Sequence, residues 1–126
     1  MPAEQKEVIG DHMVIFKQMG GNKFLVMTGS KPLYHHHDKN GYVFIAFKLT
    51  KNLSKARYLK IQYKWNDLYD MEFSKLKKTL NKEYYLLAGR KIYDEEPEIV
   101  EVFKDVCAED LQQIFTSVTG LYTKLF

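Results

Sequence analysis

The chain has 126 residues, 45% of them hydrophobic and 28% charged, a balance that excludes intrinsic disorder. No stretch approaches the roughly 20 apolar residues of a membrane-spanning helix, and MPAEQKEVIGDH lacks the apolar run of a signal peptide. One cysteine, Cys107, excludes an intrachain disulfide and points to a reducing, intracellular setting, and a net charge of +3 says little by itself about partners.

In chain order, residues 3–19 predict a helix. Pro2 sits where a first-turn proline is tolerated, and Val8, Ile9, Met13, Ile15, Phe16 and Met19 fall mostly on one stripe at helical spacing. Gly20 and Gly21 end it, while Gly10 inside it costs about 1 kcal/mol against alanine. KFLVMT at 23–28 predicts a strand, and 32–40 a polar loop. YVFIAFKL at 42–49 is aromatic and β-branched, and apolar on both faces as far as Lys48, as an interior strand would be.

Residues 50–55 predict a loop, and 58–65 and 69–73 alternate with period two. A three-residue loop, Asn66-Asp67-Leu68, would pair Trp65 with Tyr69, Tyr63 with Met71 and Ile61 with Phe73, and would set Lys64 opposite Asp70. Ser74 to Lys82 is basic and has no clear period. YYLLA at 84–88 and EIVEVF at 98–103 predict strands, the second also suiting a helix start with acids and proline early.

Residues 108–119 predict a helix with Leu111, Ile114, Phe115 and Val118 as its stripe, and the apolar tail 121–126 is expected to dock. The whole predicts a single α+β domain over 1–126, a mostly antiparallel sheet of four to six strands with an N-terminal and a C-terminal helix packed on it.

Charge is unevenly distributed. Residues 39–66 hold seven basic side chains and no acid, whereas 94–110 hold eight acids and one lysine. The two segments either face each other or offer opposite signs to partners, including a second copy.

Four constellations bear on chemistry. His35-His36-His37-Asp38 has metal-ligating residue types, but adjacent loop residues seldom point at one centre and no second cluster follows, so an exposed polar loop is expected. Asp70 and Glu72 share a strand face at about 7 Å, a spacing that also suits acid–base work, yet facing lysines make them ordinary cross-strand pairs. Cys107 lacks an activating histidine and is expected to act as a small hydrophobe. No cofactor motif is present.

The remaining constellation, Lys48, Lys51, Lys55, Arg57, Lys60 and Lys64, is the candidate nucleic-acid-binding set, because neighbouring strands would gather these charges into a patch able to neutralise phosphates. Against it, only two of the 19 basic residues are arginine. Tyr63 and Trp65 also face away from the lysines, leaving Tyr58 alone as a stacking surface.

GGNKFLVMTGSK, FIAFKL, YLKIQYKWNDLYDMEFSKL and CAEDLQQIFTSVTGLYTKL together resemble a family of short uncharacterised proteins of tailed phages and prophages, with a Met-Thr-Gly, Tyr-Asp-x-Glu-Phe and Thr-Gly-Leu-Tyr-Thr pattern. The resemblance covers most of the chain, departing at 30–40 and around 80–96. It implies a phage-like origin and the cytoplasm of an infected bacterium, and no activity. The expectation is therefore a non-enzymatic, phage-encoded accessory protein that binds nucleic acid or a host protein, with no membrane partner. The alternative is a homo-oligomeric interaction protein, such as a host-defence inhibitor or minor structural component. A third reading is an enzyme using Asp70 and Glu72.

Overall fold

A computed structural model describes residues 8–123. Five strands form one antiparallel sheet in chain order: β1 (Lys31–His37), β2 (Val43–Lys48), β3 (Tyr58–Tyr63), β4 (Tyr69–Leu80) and β5 (Tyr93–Val106). Two helices precede the sheet, α1 (His12–Gln18) and α2 (Asn22–Thr28). A third, α3 (Lys82–Ala88), joins β4 to β5, and α4 (Leu111–Thr119) follows a 3-10 turn at Ala108–Asp110. The architecture is α+β, as the sequence predicts.

The first helix is shorter at its start than periodicity suggests. Gly10 has φ +96°, which an α-helix cannot contain, and a Cβ there would stand 3.0 Å from Val43 Cγ2. The helix therefore begins after Asp11, whose carboxylate accepts from the Met13 amide at 2.8 Å. Residues 3–7 of the expected helix lie outside the described residues.

KFLVMT is helical, not a strand. Phe24 and Thr28, one turn apart, are its buried residues, and the Thr28 hydroxyl donates to the Phe24 carbonyl at 2.6 Å. Gly29, with φ +70°, ends the helix, and a Cβ there would collide with Thr50 Cγ2 at 2.6 Å. Six residues, four of them apolar, are too few to distinguish the two periods, and the end-glycine geometry decides for the helix.

Residues 31–37 are a strand, not a loop. The strand is an edge, so polar side chains are tolerated on both sides and Pro32 deprives the ladder of little. YYLLA is a helix, because Asn81 caps it by accepting from the Tyr84 amide at 3.0 Å. The basic run from Ser74 onward simply continues β4, and residues 93–106 form one long strand. The hairpin of β3 and β4 keeps the expected faces but shifts by two residues: Tyr63 pairs with Tyr69, Ile61 with Met71 and Leu59 with Phe73. A two-residue slip preserves the side-chain faces, which is why patterning alone did not reveal it. Trp65 leaves the ladder and is 75% exposed.

The helices flanking the sheet cover one face only. Val43, Ile45, Phe47, Leu59, Ile61, Met71 and Phe73 point at Ile15 and Met19 of α1, Phe24 of α2, and Leu111 and Phe115 of α4. Phe24 bridges the layers, with its ring edge-on to Phe47 at 5.2 Å and to Phe115 at 5.0 Å. Past α4 the chain stays docked through Leu121, which packs on the core, and through buried Thr123, whose hydroxyl donates to Gln112 at 2.8 Å, while residues 124–126 of the expected tail lie outside the described residues. The opposite face of the sheet carries none of these helices.

Candidate nucleic-acid interface

Directly paired residues in an antiparallel sheet project to the same side. On the helix-free face, β1, β2 and β3 thus form three cross-strand rows. The first is Lys31, Lys48 and Tyr58; the second Tyr34, Ala46 and Lys60; the third His36, Phe44 and Gln62. Three of these nine positions are lysine, four are aromatic or imidazole rings, and none is a carboxylate.

The rings are gathered around Phe44. Tyr34 meets it edge-on at 5.9 Å, His36 stacks at 6.4 Å with a 22° tilt, and the Lys60 ammonium sits 4.3 Å from the ring centroid. Tyr34 is 58% exposed, so its ring is accessible. Among the described residues, Lys31, Lys48 and Lys60 make no ion pair. Lys31 and Lys48 face no carboxylate along their row, whereas Lys60 stands directly opposite Glu72 of β4.

The six basic residues expected from the sequence are dispersed. Lys48 and Lys60 stand on the helix-free face. Lys51 and Lys55 are exposed on the loop between β2 and β3, which Asn52 braces by donating to the Thr50 and Ala56 carbonyls. Arg57 is exposed just before β3, its amide donating to the Ser74 carbonyl. Lys64 is held by carboxylates, at 2.6 Å from Asp105 and 3.3 Å from Asp70. The hydrogen bond to Asp105 raises its pKa above the ordinary lysine value, and Asp70 adds to this.

Asp70 and Glu72 continue the same rows on β4, Glu72 opposite Lys60 and Asp70 opposite Gln62. Asp70 is engaged structurally: it accepts from the Asp105 amide at 3.1 Å as well as pairing with Lys64. The histidine run is divided by strand alternation. His36 joins the ring cluster, whereas His35 turns to the other side and stacks on His12 of α1 at 3.5 Å. Among the described residues, no three His, Cys, Asp or Glu side chains converge on one point.

Lys31, Tyr34, His36 and Phe44 were not evident from the sequence as site residues. Phe44 looks from sequence like one more core position of an interior strand, Tyr34 and His36 belong to the segment expected to be a loop, and Lys31 to the turn before it. The alternation of Tyr34 and His36 between the turn at Gly29-Ser30 and the turn at Asp38–Gly41 was the signal that could have found them. The acidic segment does not face the basic residues 39–66, apart from the contact of Asp105 with Lys64. Its start, Asp94 to Glu98, pairs with the later lysines Lys75, Lys77 and Lys78.

The chain matches no protein-family model, no curated protein and no solved structure.

Proposed function

We propose that this chain is a non-enzymatic nucleic-acid-binding protein, an accessory factor of phage-like origin, that lays single-stranded RNA or DNA across the helix-free face of β1, β2 and β3. One observation carries the reading: Tyr34, His36, Phe44 and Tyr58 share that face with Lys31, Lys48 and Lys60, with no carboxylate among its nine positions. Lysines neutralise phosphates, and flat rings offer stacking to unpaired bases of any sequence. A sheet face suits single strands better than a duplex, because duplex bases are already stacked on each other. With three lysines and no arginine on the face, the expected binding is weakly selective and strongly dependent on salt.

The test is fluorescence anisotropy of a labelled single-stranded oligonucleotide titrated at several salt concentrations. Tyr34→Ala is expected to weaken binding by roughly 5- to 100-fold, the worth of one stacked base. Lys60→Glu is expected to weaken it and to flatten the salt dependence by roughly one phosphate contact. Binding that ignores salt, or that survives both substitutions unchanged, would remove the reading.

A further inference from the structure

β3 ends its pairing with β4 at Tyr58 opposite Ser74, yet β4 runs on to Leu80 and β5 starts at Tyr93. Among the described residues, the two strands from Lys75 outward form a ribbon with no third strand beside it, closed by α3. Such a ribbon is marginal in water unless a face is covered.

Its two faces differ. One shows Lys75 with Glu98, Lys77 with Glu96, and Thr79 with Asp94. The other continues the helix-free face of the sheet and shows Leu76 with Pro97, Lys78 with Glu95, and Leu80 with Tyr93, with Ile99 opposite Ser74 and Val102 opposite Glu72 just inside it. Ile99 is 57% exposed and Tyr93 51%, and at the tip Leu86 and Leu87 are 81% and 89% exposed. A run of exposed apolar side chains of this extent marks an interface.

We infer that the apolar face of this ribbon is the surface on which a second copy of the chain packs, related by a two-fold axis running along the ribbon. That operation stacks the faces and sets β4 of one copy over β5 of the other. Leu76 then meets Pro97 of the second copy, Leu80 meets its Tyr93, and Lys78 meets its Glu95, each contact occurring twice. The charges commit the face to this occupant: from Lys75 outward its one lysine and one glutamate sit at the same level, and only the exchange of strands turns them into complementary contacts between copies. The two tips, with Leu86 and Leu87, end on the same side. The lysine rows of β1 to β3 lie beyond the overlap, so the inference stands independently of nucleic-acid binding.

Sedimentation equilibrium tests it on the full chain. The expected mass is twice the 14.9 kDa of one chain. Lys78→Glu is expected to raise the dimer dissociation constant by about tenfold or more, since it creates two like-charge contacts. Lys77→Glu places the same like-charge pair within the ribbon but on the other face, and is expected to leave the constant within about twofold. The exchange Lys78→Glu with Glu95→Lys is expected to restore dimerisation. A chain that remains monomeric at high concentration, equal effects of Lys78→Glu and Lys77→Glu, or an exchange that fails to restore the dimer would each overturn the inference.

Discussion

The inner half of the sheet, β1 to β3, and the outer ribbon of β4 and β5 are made by the same antiparallel ladder, yet they are held in different ways. In the inner half each strand of the pair β2 and β3 buries one side under helices, and alternation separates a sealed face from an open one. In the ribbon both faces meet solvent, and what pins the strands is the ladder itself with lysines opposite glutamates. Burial determines register in the first region, whereas in the second no buried side does so. The inner half can therefore support a rigid display of side chains, whereas the ribbon is stable in proportion to what covers it.

Truncating the centre of the sealed face is the strongest way to probe this contrast. Phe115 is fully buried between Phe24 and Phe73. Phe115→Ala is expected to cost about 3–5 kcal/mol in urea-induced unfolding, from lost transfer energy and a cavity that rigid neighbours fill only in part. A loss below about 1 kcal/mol would mean that the helices and the sheet are far less tightly joined than their packing shows.

Alkaline pH offers a second probe confined to the inner half. At the β3–β4 turn the Tyr63 hydroxyl donates to the Asp67 carboxylate. That hydrogen bond, reinforced by burial and by the repulsion between a phenolate and Asp67, pushes the Tyr63 pKa up from 10.0 to about 12. Because the folded value is the higher one, the stabilisation is fully present below pH 10 and is lost as pH rises from 10 to about 12. Over that interval the unfolded chain ionises while the folded one holds its proton. Tyr63→Phe is expected to lessen the slope of stability against pH in that window and leave a late-titrating phenolate missing from the absorbance at alkaline pH. Identical slopes in the two proteins would count against the Tyr63–Asp67 hydrogen bond.

The contrast between the regions also explains how much the sequence disclosed. Where a strand buries one side, its period is visible, and 43–48, 58–63 and 69–73 were legible for that reason. So was α4, whose stripe meets the core at Leu111 and Phe115. Where neither side is buried, period fades: Lys75 to Leu80 mixes lysines with Leu76 and Leu80 in no clean alternation, and β1 carries histidines that an edge permits. Of the candidate site, the lysines of β2 and β3 were visible while the rings of β1 were not, because a residue two places along a strand is a neighbour only once the strand is recognised. The error at YYLLA has the same origin, since a short helix with no buried face leaves only its cap, Asn81, to announce it.

The smallest expected effect concerns the tip of the ribbon. Leu86 and Leu87 contribute little to the fold of one chain, for their side chains are almost wholly in water and change environment little on folding. Leu87→Ser is therefore expected to shift unfolding of the isolated chain by no more than about 0.5 kcal/mol, measured in urea at a dilution where no dimer forms. A cost of several times that size would show the tip to be packed as the inner half is, and would erase the distinction between the regions. A negligible cost sharpens it, because two adjacent leucines that do not serve the fold of the monomer are exposed apolar surface that only a contact outside it relieves.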